Sequence, residues 1–360
     1  MKKVKVLITD DSIFMRKLLS DMLSKHPSIE VIATANNGLD ALNKINDFAP
    51  DVVTLDVEMP KMDGLEALKK IMKEHPLPVI MLSSTTLTGS LNTIVAMEYG
   101  AVDFVAKPSG AISLDIHKVK EELVEKILLA SKTNIKTLKN FSEENKNIPF
   151  AITGNSKIEL LEKTSENKNT LVCIGTSTGG PRALQTILAS LPESFPAPIL
   201  IVQHMPKHFT KSLANRLNTM SNITVVEAVH NQKVENATAY IAPGDYHMGI
   251  VKKGRDLYIH LHDSPPLKGH RPSVDFLFTS VNHLQNYQKI AVVLTGMGND
   301  GTEGIRLLKQ TKPPNTICIA ESEETAVVYG MPKAALHTGL VDEVHPINDI
   351  AKKIHQYTIK

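Results

Sequence analysis

The sequence predicts an α/β chain of two doubly wound parallel sheets joined by a linker. Three features carry that expectation. Short apolar runs alternate with helix-period segments through residues 1–131, and the same alternation resumes over 170–360. Between them, over 132–169, the composition turns to Asn, Lys, Glu, Ser and Thr with few apolar residues. Alternating strands and helices imply βα units and parallel sheets, whereas a stretch so poor in apolar side chains cannot bury a core.

In the first unit, Val4–Thr9 reads as a buried strand and Ile13–Ser24 as a helix. Val31–Ala35 is a strand, Gly38–Phe48 a helix, Asp51–Asp56 a strand and Leu65–Glu74 a helix. Val79–Ser83 is a strand, Gly89–Tyr99 a helix and Phe104–Ala106 a short strand. A last helix over Ser113–Ser131 gathers Ile116, Val119, Leu123 and Ile127 on one face, with Leu128 at its margin. Five βα units of this kind make a flavodoxin-like (βα)5 fold. In the linker, Ile158, Leu160 and Leu161 suggest one docking turn. From Thr170, strands are expected near 171–175, 199–203, 224–228, 239–242, 290–295 and 316–320, with a hairpin inserted at about 247–261. This is a Rossmann-like arrangement.

Bulk properties narrow the function. With 42% hydrophobic and 22% charged residues, the chain has the composition of a soluble globular protein. A net charge of +2 gives no basic surface for nucleic acid. No apolar run approaches the roughly 18 residues of a membrane span. Asp10 and Asp11 cut short the apolar stretch of the basic amino-terminal segment, which argues against a secretory signal. Cys173 and Cys318 lie in apolar strand-like runs and read as buried thiols, not as a disulfide. A cytoplasmic monomer is expected.

The first unit carries five polar groups at strand ends. Asp10 and Asp11 follow the first strand, Asp56 ends the third, Ser83 the fourth, and Lys107 follows the fifth. Isolated Asp pairs at strand ends also cap the following helices, and Asp11 taken alone could equally do so. Together they place three carboxylates, a hydroxyl and an ammonium at one sheet edge. Like charges so close call for a cation, and oxygen-only ligands suit Mg²⁺, which retains waters and accepts phosphate oxygens. A carboxylate, a divalent ion and a lysine are the parts needed to form an aspartyl phosphate.

In the second unit, Gly-Thr-Ser-Thr-Gly-Gly at 175–180 follows an apolar run and precedes Pro181. Gly175, Ser177 and Gly179 fit the Gly-x-Ser-x-Gly elbow, which lifts a serine between a strand and a helix. A dinucleotide fingerprint would need glycine at 177 for close approach to a pyrophosphate; serine obstructs that ligand and supplies a nucleophile. A serine needs a base, and the base an orienting acid. His204 follows the strand 199–203, and Asp300 lies in the glycine turn Leu294-Thr-Gly-Met-Gly-Asn-Asp-Gly301. His204 also reads as a cap beside Pro206, and Asp300 as a helix N-cap. His247, His270 and Arg271 sit in loop-like contexts; they could line the cleft or bind substrate, but on position alone they read as surface residues.

The first unit resembles the receiver domain of bacterial response regulators, with Asp10, Asp11, Asp56, Ser83 and Lys107-Pro108 on its motif positions. That resemblance implies phosphorylation of Asp56 by a histidine kinase. It implies Mg²⁺ on Asp10, Asp11, Asp56 and the Glu58 carbonyl, and movement of Ser83 and Phe104 on phosphorylation. Phe104 stands where many receivers carry tyrosine, so no phenolic hydroxyl is available there. Residues 171–358 resemble the catalytic domain of the chemotaxis protein-glutamate methylesterase (CheB) family. The match runs through the 175–180 elbow, Gln-His-Met-Pro at 203, Ile-Ala-Pro-Gly-Asp at 241, His-Arg-Pro-Ser-Val-Asp at 270, the 294–301 turn and Tyr-Gly-Met-Pro at 329.

The resemblance implies a Ser177–His204–Asp300 triad without a cofactor, acting on glutamyl methyl esters, and on glutamines, of chemotaxis receptors. Backbone N–H groups at Thr178 and Met297 are the candidate oxyanion donors. Three other readings compete: a serine esterase of different specificity using His337 or His345, a transcription regulator, and a dinucleotide-binding output.

Overall fold

The computed structural model describes residues 2–84, 86–107, 116–133, 169–310 and 315–359. Nearly all of the expected linker, its docking turn, Pro108 and residues 113–115 of the expected fifth helix lie outside these. Among the described residues the chain forms two parallel sheets and one antiparallel hairpin.

The first sheet contains β1 (Val4–Thr9), β2 (Ile29–Ala35), β3 (Val52–Asp56), β4 (Val79–Ser83) and β5 (Asp103–Ala106), in the order β2-β1-β3-β4-β5. Between them run α1 (Ile13–Leu23), α2 (Gly38–Phe48), α3 (Gly64–Glu74) and α4 (Leu87–Glu98), and α5 (Ile116–Ala130) follows. Ser12, Asn37, Asp63 and Thr86 each cap the helix they precede by accepting a backbone N–H. The Thr86 cap starts α4 two residues before the expected Gly89. β3 and β4 are buried throughout, as central strands covered on both faces must be.

The second sheet has seven strands: β6 (Thr170–Thr176), β7 (Ile199–Gln203), β8 (Thr224–Glu227), β9 (Thr238–Ile241), β12 (Gln288–Val293), β13 (Thr316–Glu321) and β14 (Glu343–His345). Their order is β14-β13-β12-β6-β7-β9-β8. The hairpin is β10 (His247–Lys253) with β11 (Asp256–His262). The helices are α6 (Gly180–Ala189), α7 (Phe209–Asn218), α8 (Val274–Val281), α9 (Thr302–Gln310), α10 (Met331–Leu336) and α11 (Ile347–Thr358).

Side chains of the central strands alternate between two cores, as the period of two requires. Val172 and Ile174 of β6 join Ile290 and Val292 of β12 in a core with α6, α7 and α11. Leu171 and Cys173 join Ala291 and Val293 in a core with α8, α9, α10 and the hairpin. Both cysteines are buried free thiols, in keeping with the sequence reading. β6 lies between β7 and β12, so the chain diverges to either side of it. Such a switch point leaves a crevice at the carboxyl ends of the strands.

The two sheets meet through α4 and β5. α4 packs on α6 and α7. The Ser90 and Ser212 hydroxyls are 2.7 Å apart, and Arg216 donates to both carboxylate oxygens of Glu98 at 2.7 and 2.8 Å. Phe104 stacks on Phe209 with centroids 4.5 Å apart, and Thr178 donates to Asp103. Val327 and Val328 from the second half join the apolar cluster of Val105, Val124 and Ile127.

Leu188 is fully buried in the core beneath α6. Leu188→Ala is expected to cost about 2–5 kcal/mol, since a cavity there cannot collapse completely. Calorimetry should register this as a lower unfolding midpoint.

Candidate active site

The nucleophile elbow follows from close packing at the end of β6. Gly179 adopts a φ of +79°, in the left-handed region, and passes the chain into α6, where Pro181 occupies the first turn. A Cβ at Gly180 would stand 2.0 Å from Gln203 Oε1, so a side chain there would displace the amide that holds the Ser177 carbonyl. Thr295 braces the elbow from just beyond the end of β12: its carbonyl accepts from Ser177 N–H at 3.0 Å and from the Thr176 hydroxyl at 2.8 Å. On β7's side, Gln203 Nε2 donates to the Ser177 carbonyl, and His204 N–H bonds the Thr176 carbonyl at 3.0 Å. Ser177, His204 and Asp300 therefore follow three adjacent strands, β6, β7 and β12.

Asp300 is buried, and four donors surround its carboxylate. His204 Nε2 lies 2.8 Å from Oδ2, Val274 N–H 2.7 Å from Oδ2, and the Ser273 hydroxyl and Asp275 N–H 2.9 Å from Oδ1. The alternative reading of Asp300 as a cap is thus partly realised, but on α8 instead of the helix that follows it. Burial opposes ionisation, yet the hydrogen bond and charge of His204 and the N–H groups of Asp275 and Val274 outweigh it. The carboxyl is held well below the usual range. With Nε2 committed to Asp300, His204 Nδ1 is buried and has no hydrogen-bond partner.

His270 and His247 are not surface residues. The His270 ring stacks on His204 with centroids 3.9 Å apart and planes within 6°. Burial first, then the neighbouring His204, lowers its pKa to about 4, so two cations do not face each other at neutral pH. His247 is fully buried, bonds the Pro265 carbonyl through Nε2 at 3.2 Å and stacks on Phe276. The position of each was hidden because it depends on which loop folds over which strand. Arg271 donates to the carbonyls of Asp263 and Ser264. Of the alternative bases, His345 lies 2.6 Å from Glu343 and His337 is exposed at the end of α10. Met297 is half-buried beside Gly296, where an added Cβ would come 2.8 Å from Ser177 Cβ. Thr295, Ser273 and Gln203 were missed; of these only Ser273, before an apolar helix, carried a local cap signal.

In the first unit, Asp10, Asp11 and Asp56 each offer a carboxylate oxygen within 4.8 Å of the others. Lys107 Nζ lies 2.8 Å from Asp10 and 2.7 Å from Asp56. Burial raises the Asp56 carboxyl to about 6 against the pull of Lys107. Glu58 N–H reaches Asp56 Oδ1 at 3.4 Å, so its backbone borders the cluster. An acidic, oxygen-only set with a neighbouring ammonium fits a hard divalent cation and a phosphoryl group. Ser83 ends β4. Its hydroxyl bonds the Gly89 carbonyl at 3.1 Å and receives the Thr93 hydroxyl at 2.6 Å, so it is tied to α4 and not to the carboxylates.

Fold and site together define a two-part protein: an acidic phospho-acceptor-like sheet docked on an α/β hydrolase-like sheet with a histidine–carboxylate pair beside an elbow serine. The profile of the CheB methylesterase family matches residues 172–354, and that of the response regulator receiver domain matches 6–117. The chain belongs to this family of receiver-linked CheB methylesterases. It is 52% identical over 98% of its length, and 99% of the relative, to a protein-glutamate methylesterase/protein-glutamine glutaminase of Oceanobacillus iheyensis. A protein of the same name from Bacillus subtilis is 48% identical, with 98% of this chain and 97% of the relative covered. The crystal structure of the Thermotoga maritima CheB methylesterase catalytic domain superposes with a TM-score of 0.50 at 43% identity, covering 52% of this chain and 98% of that one. Membership removes the transcription-regulator and dinucleotide-binding alternatives. Among the described residues, no helix is long and apolar enough to cross a membrane.

Asp300→Asn gives a pH test of the carboxylate. A depressed pKa contributes stability that is fully present above the ordinary carboxylate range and is lost as pH falls through and below it. The gap in unfolding midpoint between wild type and D300N is expected to be constant above about pH 5 and to narrow below about pH 4. A gap independent of pH would refute an anionic Asp300.

Proposed function

We propose that this chain hydrolyses γ-glutamyl methyl esters, and deamidates glutamines, on methyl-accepting chemotaxis receptors, under control of phosphorylation at Asp56. The observation that carries the reading is the His204–Asp300 bond beside the Ser177 elbow, which leaves a buried ring nitrogen without a partner. Ser177 Oγ attacks the ester carbonyl carbon while His204 Nδ1 takes its proton. The tetrahedral oxyanion receives N–H donors from Thr178 and Met297, each worth about 3 kcal/mol where such donors have been removed. Collapse breaks the C–O bond, and His204 returns the proton to methanol. Water then attacks the acyl-enzyme through the same base and releases a glutamate carboxylate and free Ser177. With a glutamine substrate the leaving group is ammonia. Throughout, Asp300 stays anionic and fixes the imidazole tautomer. No cofactor enters these steps.

In the receiver, Asp10, Asp11 and Asp56, with the Glu58 carbonyl, would hold Mg²⁺, which supplies charge neutralisation for an incoming phosphoryl group. A histidine kinase is the phosphodonor, and the Asp56 carboxylate takes the phosphoryl group from its phosphohistidine. The face bearing Ser90, Glu98, Asp103 and Phe104 lies against the second half, bonded at Thr178 to the residue after the nucleophile. In this state it restricts substrate access. Phosphorylation adds about −1.5 to −2 charges and draws the Ser83 hydroxyl and Lys107 towards it. Ser83 leaves the Gly89 carbonyl, and α4, which carries Ser90 and Glu98, shifts. The enzyme works as a cytoplasmic monomer.

Methanol release from methyl-labelled receptor membranes, with and without a small-molecule phosphodonor, tests this reading. Ser177→Ala and His204→Ala are each expected to lower turnover by about 10⁴-fold or more, and His345→Ala to leave it near wild type. Equal loss in His345→Ala would reassign the base. Asp103→Ala combined with Arg216→Ala is expected to raise turnover without phosphodonor towards the phosphorylated level. Unchanged turnover in that variant would count against restriction by the receiver.

A further inference from the structure

Glu321 is a buried carboxylate that the mechanism above does not use. It ends β13, next to β12, and is 1% exposed. Its Oε2 accepts the Thr295 N–H at 2.7 Å, and its Oε1 accepts the Thr325 hydroxyl at 2.9 Å. Thr325 in turn accepts the Ile347 N–H at 3.0 Å, which anchors that end to α11.

Thr295 is the hub of the elbow. Its carbonyl holds both the Ser177 N–H and the Thr176 hydroxyl, and its own hydroxyl donates to the Thr178 carbonyl at 2.9 Å. That hydroxyl also accepts the Val328 N–H at 3.0 Å. Every polar group of Thr295 is therefore used, and three of its bonds go to the residues before, at and after the nucleophile. Nothing within residues 294–301 fixes the Thr295 peptide on the side away from the elbow; Glu321 does. Resting on the reading of Ser177 as nucleophile, we propose that Glu321 is a positioning residue, whose carboxylate clamps the Thr295 peptide and thereby fixes the attack geometry of Ser177 and the Thr178 oxyanion donor.

Burial pushes the Glu321 carboxyl up to about 7, with the Thr295 N–H and the Thr325 hydroxyl drawing it down. Either protonation state keeps an oxygen acceptor for Thr295, so the clamp persists through this titration. A buried acceptor lost outright leaves the Thr295 N–H unsatisfied, which favours a shifted backbone. A shift of about 1 Å at a reacting group can cost on the order of 100-fold in rate.

The test uses full-length protein. The rate of Ser177 labelling by a fluorophosphonate is measured for Glu321→Ala, Glu321→Met and Glu321→Gln, alongside kcat and KM for methanol release and the unfolding midpoint. Labelling must vanish in Ser177→Ala; persistence there would refute the nucleophile assignment and not the role of Glu321. Glu321→Ala and Glu321→Met are expected to slow labelling and lower kcat by about 10- to 100-fold while KM changes little. Glu321→Gln keeps an oxygen for Thr295 and gains an amide donor for Thr325, and is expected within about threefold of wild type. Wild-type labelling in a folded Ala or Met variant would overturn the proposal, as would a Gln variant no better than Ala. If neither the Ala nor the Met variant folds, Thr325→Val carries the test. That change frees one end of the carboxylate and should slow labelling by about threefold to tenfold, and a wild-type rate there would equally overturn the clamp.

Discussion

The arrangement depends on keeping one ionised carboxylate, Asp300, out of water. A buried charge is tolerated only where donors compensate it, and here they come from two directions. The amino terminus of α8 supplies two backbone N–H groups and the Ser273 hydroxyl, and β7's exit supplies the His204 ring. For α8 to come this close, β6 must lack a side chain where they meet. A Cβ at Gly175 would lie 2.4 Å from Val274 Cγ1. The strand order, the elbow glycine and the imidazole tautomer thus answer a single electrostatic requirement. The unbonded Nδ1 of His204 is a consequence of the same requirement, because only one ring nitrogen can satisfy Asp300.

How much of this was legible in the chain follows from the range of the interactions involved. Strands such as Val79–Ser83 and Ile199–Gln203 were found at their observed bounds because apolar periodicity is local. β14 was missed: Glu343-Val-His345 is short, polar and paired only at the sheet edge. The start of α4 was set by the Thr86 cap, a signal weaker than the glycine that follows it. Ser177, His204 and Asp300 could be proposed because the first two directly follow a strand and the third lies in the glycine turn after one, and parallel sheets collect such positions at one edge. The direction of the Ser83 hydroxyl was not legible for a related reason. A place at a strand end fixes a Cα position, but the rotamer answers to Gly89 and Thr93 across the turn. His270 over His204, and Glu321 behind Thr295, are contacts between distant segments that no local pattern encodes.

Under the proposed restriction of access by the receiver, the strength of its polar and aromatic contacts can be set against what a phosphoryl group supplies. The Glu98–Arg216 pair is partly solvated and contributes about 1 kcal/mol or less, and the Phe104–Phe209 stack adds roughly 0.5–1.5 kcal/mol beyond its buried area. Inverting a two-state equilibrium from 1:99 to 99:1 takes about 5.5 kcal/mol of differential stabilisation. A phosphoryl group offers one to three charge-assisted hydrogen bonds, each worth about 1.5–3 kcal/mol, which is the same scale.

Two structural routes connect that interface to the serine, and they end on the same residue. One runs from Asp103 to the Thr178 side chain, whose carbonyl is held by the Thr295 hydroxyl. The other runs from the receiver cluster through Val328, whose N–H also bonds that hydroxyl and whose carbonyl accepts the Gly296 N–H. Val327 on this strap leaves no room for a side chain at Gly179, since a Cβ there would lie 2.7 Å away. Motion of the receiver therefore bears on Thr295 from two sides at once. An elbow supported only by these contacts would loosen whenever the receiver moved, so the release proposed above would also disorder the nucleophile. Glu321 holds the Thr295 N–H, a group that neither route uses, so under the clamp proposed above the serine stays in place when the receiver moves.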